Sequence, residues 1–398
     1  MNKDYLIALK TRLNSLAIFR ELLSDPIVKS LYNYLDALDR ASDTALSDYC
    51  EFVSQLYKYG YGCLDTYLQN IVFNNENVYV KLICEGEKPR NFMIEALNKE
   101  LALFNELSDL MSDELTKPLK YGGFLPSFVS GNAEIAQSYI DRINNIDMYG
   151  YGIYAEHHMF CLDESGIIVP VKHPDSTKLS SLVDYERQQK IIFRNTLALL
   201  EGKTAANILL TGDAGTGKSS TVKAIVNELC NKGLRIIEVR KDQLTKIPSL
   251  LDDLATNPLK FIIFIDDLSF TKSDDSFNAL KAVLEGSVSS RSQNTVIYAT
   301  SNRRHLIKET FSDREGDDIH KNDTMQEIIS LSLRFGIHVT FERPDKKTYL
   351  DIVHHLASEQ NINIDTKELD DLAERFALER GGRSARLARQ LIESLSAK

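Results

Sequence analysis

The sequence predicts an α/β protein: a parallel β-sheet with helices on both faces, preceded by a mainly helical region and followed by a helical tail. Three observations predict it. Short apolar runs at 207–211, 236–239, 261–265, 296–300 and 336–341 alternate with helix-like stretches, as parallel strands joined by helical crossovers do. The first run leads into a glycine-rich turn, Gly212-Asp213-Ala214-Gly215-Thr216-Gly217-Lys218-Ser219, that opens a helical pattern through Val222, Ala224, Ile225 and Leu229. The third and fourth runs end in polar residues, where the crevice of an open α/β sheet lies.

At 398 residues the chain is long enough for two or three domains, and its 43% hydrophobic and 26% charged residues are ordinary for a globular protein. No apolar run approaches the roughly 20 residues needed to cross a bilayer. The opening Met1-Asn2-Lys3-Asp4-Tyr5 leads into an amphipathic pattern rather than an apolar signal core, so a cytoplasmic location without membrane contact is expected. Cys50, Cys63, Cys84, Cys161 and Cys230 are scattered and free of any C-x-x-C pair, as expected of reduced thiols rather than a metal or redox centre. A net charge of −10 weighs against sequence-independent nucleic-acid binding by the whole surface and leaves room only for a local basic face.

Residues 1–120 read as a helical domain, with Leu6, Leu9, Leu13, Leu16 and Phe19 at intervals of three and four. Asp25 before Pro26 is an N-cap signal, and Ser42 or Asp43 opens a helix that runs to Tyr59. Tyr57, Tyr59, Tyr61 and Tyr67 read first as packing and second as a partner surface. Residues 121–178, with Gly122, Gly123, Pro126, Gly131 and Gly150, read as a connector. It carries a short helix at 133–143 and a hairpin around 163–166 that needs a sheet or another domain to pack against. His157 and His158 lack ligand-spaced partners and read as surface residues. The α/β domain spans 179–343. A helical segment, 344–398, follows and is interrupted at Gly381-Gly382.

The chemistry follows from the turn and the two strand ends. Gly212, Gly215 and Gly217 let the backbone bring its N–H groups to phosphate oxygens, and the helix behind them offers its positive end. Asp213, Ala214, Thr216 and Ser220 complete this cradle, Lys218 would reach the β- and γ-phosphates, and the Ser219 hydroxyl would bind magnesium. Asp266 would hold the same Mg2+, and Asp267 would orient or deprotonate the attacking water. Asn302 offers a donor and an acceptor to that water and the γ-phosphate. Arg303 and Arg304 read equally as added charge near the nucleotide and as solvated surface. ATP and Mg2+ are thus the expected ligands.

Those residues resemble the AAA+ ATPases over roughly residues 180–398: Gly212 to Ser219 match Walker A, the 261–267 run Walker B, and Asn302 sensor 1. Leu331-Ser332-Leu333-Arg334-Phe335-Gly336 is similar to the arginine-finger segment of the bacterial replication initiator. Gly381-Gly382-Arg383-Ser384-Ala385-Arg386 resembles the sensor 2 motif of Clp-type unfoldases, with Arg383 as sensor 2 and Arg386 in reserve. Val183 and Tyr185, beside Leu182, stand where that family forms part of its adenine pocket. More narrowly, strings such as Asp-Asp-Leu-Ser-Phe and Tyr-Ala-Thr-Ser-Asn-Arg-Arg-His-Leu resemble a bacterial AAA+ family labelled as a domain of unknown function.

The resemblance implies an AAA+ P-loop NTPase core, a five-stranded parallel sheet with helices on both faces, with a C-terminal helical lid and a mainly α-helical N-terminal domain. It further implies an ATPase that hydrolyses ATP to ADP and phosphate and remodels a protein partner, as a homo-oligomer in which Arg334 acts in trans. AAA+ proteins usually end Walker B with Asp-Glu, whereas this chain has Asp266-Asp267, which points to slow hydrolysis or to Glu285 sharing the role. An ATP-dependent switch or scaffold with little turnover is the alternative. A nucleic-acid remodelling or loading ATPase is disfavoured by the acidic balance. Residues 241–260 carry neither aromatic nor glycine, which disfavours a threading motor.

Overall fold

The computed structural model describes residues 3–268, 275–285, 293–302 and 332–396. The chain divides into two units, Met1–Glu156 and His157–Lys398.

The first unit is helical: α1 (Lys3–Asn14), α2 (Pro26–Asp39), α3 (Ala45–Gly60), α4 (Leu64–Asn74), α5 (Val78–Cys84), α6 (Asn91–Ser108), α7 (Ser112–Thr116), α8 (Ile135–Asn144), α9 (Ile146–Tyr149) and α10 (Ile153–Glu156). The Asp25 carboxylate caps α2 by accepting from the N–H groups of Ile27 and Val28, with Pro26 at the first helical position. On α3 the buried stripe is Tyr49, Phe52, Val53 and Leu56, a helical period. Tyr57, Tyr59 and Tyr61 fall off that stripe and are 49%, 45% and 91% exposed, so the packing reading of the tyrosine cluster is corrected for these three. Two hydroxyls of the cluster are nonetheless anchored, Tyr67 donating to Asp25 at 2.6 Å and Tyr57 to the Ser127 carbonyl at 2.5 Å. In the core, Phe19 meets Phe104 and Tyr139 edge to face.

The second unit is built on a seven-stranded sheet: β1 (Met159–Leu162), β2 (Ile168–Pro170), β3 (Ile208–Gly212), β4 (Leu234–Glu238), β5 (Lys260–Ile265), β6 (Thr295–Ser301) and β7 (Ile337–Phe341), ordered β2-β1-β4-β5-β6-β3-β7. The five strands read from the sequence are neighbours and run parallel. Residues 121–178 serve both units. Their helices α8 to α10 belong to the first, whereas β1 pairs parallel with β4 and β2 antiparallel with β1, so the hairpin extends the sheet edge.

Strand pleating sends alternate residues to opposite faces. Ile208, Leu210, Ile236, Ile262, Phe264 and Tyr298 form one core with Ile192 of α11 (Glu186–Leu200) and Val222, Ile225 and Val226 of α12 (Lys218–Leu229). Their alternates Leu209, Ile237 and Ile263 are buried as well, as a sheet covered on both faces requires. The buried Tyr298 hydroxyl is satisfied by Asn195 and Thr196 of α11. Further helices are α13 (Ile247–Leu254) and α14 (Asp275–Glu285).

Beyond β7, α15 (Lys346–Glu359), α16 (Thr366–Glu379) and α17 (Ala385–Ser396) form a three-helix lid around Tyr349, Val353, Ala373, Ala388 and Ile392. Asp345 and Asp365 cap its first two helices. The parallel order β4-β5-β6-β3-β7, covered by helices and followed by the helical lid, is the α/β architecture the sequence predicts. No helix among the described residues is long and apolar enough to cross a membrane.

Candidate functional site

The site begins where β3 ends. Gly212 has a φ of +143°, and a Cβ there would lie 2.0 Å from the Phe341 carbonyl oxygen of β7, so only glycine lets the strand turn at this point. The loop then curls through Gly215 and Gly217, both left-handed, with Gly217 heading α12. Thr216 Oγ1 donates to the Asp213 carbonyl and Thr221 Oγ1 to the Gly217 carbonyl, which pins the loop at both ends.

Lys218, the first residue of α12, is only 5% exposed. Its ammonium donates to the carbonyls of Gly212 at 2.8 Å and Asp213 at 2.7 Å and to Asn302 Oδ1 at 3.1 Å. Burial pushes its pKa down, against the pull of Asp266, Asp213 and Asp267. The Asp213 carboxylate pairs with Arg343 at 3.1 Å, just beyond β7.

The carboxylates that follow β5 meet this lysine from the other side. Asp266 Oδ1 accepts from Ser219 Oγ at 2.6 Å and from Thr300 Oγ1 at 2.5 Å. Asp267 sits at a φ of +54°, a left-handed conformation that among residues with a β-carbon Asp is one of the few to favour. Its N–H donates to Thr300 Oγ1 at 2.9 Å, and its Oδ1 accepts from Asn302 Nδ2 at 2.7 Å. The Asn302 amide therefore bridges, oxygen to the Lys218 ammonium and nitrogen to the Asp267 carboxylate.

These groups open on a pocket of about 440 Å³, lined by the loop from Ala214 to Thr221 and by Asp266, Asp267, Thr300 and Asn302. Its apolar end is Leu182, Val183 and Tyr185 with Ile352 and Leu356 of α15. Tyr185, left-handed at the head of α11, lays its ring on Phe341 at 5.1 Å and donates its hydroxyl to the Glu342 carbonyl. Burial pushes that phenol up to about 12. Gln189 holds the turn before it by donating to the carbonyls of Leu182 and Asp184, each at 3.0 Å.

The lid adds two guanidinium groups. Arg386 and Arg389, one turn apart on α17, both line the pocket, and the Arg386 N–H donates to the Gly215 carbonyl at 3.3 Å. Arg383 does not line it: standing ahead of α17, it turns to Glu374 of α16 and makes two hydrogen bonds of 2.9 and 2.7 Å. Arg334, just before β7, is also not among the lining residues. Arg303, Arg304 and the Glu285 side chain lie outside the described residues.

The donor chemistry fits a magnesium nucleotide. Ser219 and Asp266 offer only hard oxygen ligands at hydrogen-bond separation, as Mg2+ prefers, and the glycine loop, Lys218, Arg386 and Arg389 suit a polyphosphate. Sequence reading missed Thr300, Gln189 and Arg389. Thr300 carried a usable signal, since it stands two residues before Asn302 on one strand face.

The model of the family described as "Protein of unknown function (DUF815)" matches residues 155–398. No curated protein matches the chain. Among solved structures, the chain is similar to the Thermotoga maritima RuvB Holliday junction branch migration motor, at 18% identity and a TM-score of 0.39, with 54% of this chain and 63% of that chain covered. It is also similar to the FIGL-1 AAA domain in complex with ADP, at 17% identity and a TM-score of 0.38, with 56% and 74% covered. The matched region thus spans less than two thirds of the RuvB chain.

Proposed function

The chain belongs to the DUF815 family and has the AAA+ P-loop fold, and on that premise we propose that it binds ATP with Mg2+ and hydrolyses it to ADP and phosphate. The observation that carries this reading is the continuous hydrogen-bond chain Lys218–Asn302–Asp267–Thr300–Asp266–Ser219 around one pocket. A purely structural pair of carboxylates has no need to share partners with a buried phosphate-loop lysine.

The triphosphate lies along the backbone N–H groups of residues 214–219, with the adenine against Val183 and Tyr185. Lys218 exchanges its loop carbonyls for β- and γ-phosphate oxygens. Ser219 and Asp266 would hold magnesium, which would supply neutralisation of the charge that develops on the phosphates. Asp267, fixed by Asn302, accepts a proton from the water that attacks the γ-phosphorus. As the new P–O bond forms, the bond to the bridging oxygen breaks and its electron pair leaves with ADP. Arg386, with Arg389 behind it, takes the place the sequence motif offered to Arg383, and nucleotide exchange moves the lid because both arginines ride on α17. Arg334 acts in trans in a homo-oligomer, and lid motion remodels a protein partner.

A slow ATP-dependent switch is the second reading, favoured by the short, left-handed Asp267 tethered to Asn302. Titration calorimetry with ATP and a phosphate-release assay test both readings. Saturable binding and release of phosphate support hydrolysis, with Asp267→Asn keeping the binding and losing about 10²-fold in rate. Binding without release leaves the switch, and no binding removes both.

A further inference from the structure

We propose that Thr300 is a positioning residue that aims both carboxylates of this site at once; the inference rests on the magnesium–ATP reading above. Thr300 is 1% exposed in β6, wedged between β5 and β3, so its side chain has no solvent to turn to. Its hydroxyl is used in both directions. It donates to Asp266 Oδ1 at 2.5 Å, the same oxygen that takes the Ser219 hydroxyl, and it accepts the Asp267 N–H at 2.9 Å. Its carbonyl accepts the Leu268 N–H at 2.7 Å, so one residue ties down three successive positions after β5.

The consequence concerns the unusual Asp-Asp ending. The short Asp267 carboxylate reaches Asn302 from a left-handed backbone, a conformation that Asp adopts more readily than most residues with a β-carbon but still at a cost the surroundings must offset. The bond from the Asp267 N–H to Thr300 is the enforcing contact. The same hydroxyl locks the rotamer of Asp266, the carboxylate assigned to Mg2+, as outer-shell partners do for metal ligands. Thr300 borders the pocket but, at 1% exposure, offers it almost no surface, and in this assignment it acts through the two aspartates.

Thr300→Val removes the hydroxyl at nearly constant shape, and Thr300→Ser restores it without the methyl. The full-length protein is read in two ways: steady-state ATP hydrolysis, and calorimetry of ADP across a magnesium titration. For Thr300→Val the Mg2+ concentration that half-saturates ADP binding rises about tenfold or more. Its kcat falls about a hundredfold while KM stays nearly constant, and Thr300→Ser recovers most of both losses. Should the valine variant not fold, Thr300→Ala takes its place in the same comparison. A valine or alanine variant with wild-type magnesium dependence and kcat overturns the inference while the ATPase reading stands. Wild-type protein that binds no magnesium nucleotide overturns both.

Discussion

Each unit buries charged side chains almost completely, and two of them, Glu100 and Lys218, are treated in opposite ways. In the helical unit Glu100, 6% exposed, receives the backbone N–H groups of Ala17, Ile18 and Phe19, four contacts of 2.9 to 3.2 Å across its two oxygens. In the nucleotide unit Lys218, 5% exposed, shares Asn302 with the Asp267 carboxylate and faces a pocket that Asp266 lines as well. A carboxylate saturated by the backbone has a fixed task, the folding of the chain around it. A cation whose partners are exchangeable oxygens can trade them for those of a ligand. Burial alone therefore does not mark the functional charge; exchangeable partners do.

The largest expected effect would break the comparison by lying outside both charges. Arg334→Ala should keep ATP affinity and lose roughly 10³- to 10⁵-fold in turnover if it is an arginine finger in trans. Turnover by a monomer in analytical ultracentrifugation would remove that role. Lys218→Met should lose roughly 10²- to 10³-fold in turnover, together with ATP binding by calorimetry. Its unfolding free energy in urea should change by no more than about 1 kcal/mol, because the lost hydrogen bonds are offset by removing a buried charge. Glu100→Gln should do the reverse, costing about 3 kcal/mol of stability, since the amide sets N–H against N–H, while folded protein turns over ATP normally. If Glu100→Gln lost activity without losing stability, the contrast between the two charges would be void.

The smallest effect concerns pH. Burial lowers the pKa of Lys218 below the ordinary 10.5, so between that lowered value and 10.5 the unfolded chain binds more protons than the folded one. Stability contributed by this residue therefore rises with pH across that window, while nucleotide affinity, which needs the ammonium, falls. Urea unfolding of wild type against Lys218→Met isolates the first trend, and ADP calorimetry on wild type reads the second. A flat difference between the two proteins would show that the lysine loses no proton in that range.

What the sequence determined by itself was everything carried by contiguous residues: the glycine turn, the apolar strands that end in Asp266 and Asn302, the cap at Asp25 and the helical lid. In these the physics is local, since strand period, tight-turn dihedrals and helix capping act over a few residues. Only the tertiary structure decided which of two arginines five residues or fewer after Gly381 meets the pocket. That depends on where α17 starts and on Glu374, from another helix, claiming Arg383. Nor could spacing reveal that Tyr57, Tyr59 and Tyr61 face solvent, that the hairpin would find its partner in β4, or that one threonine hydroxyl serves two aspartates. Such pairings are settled by surfaces that meet only once the chain has folded, and no local propensity encodes them.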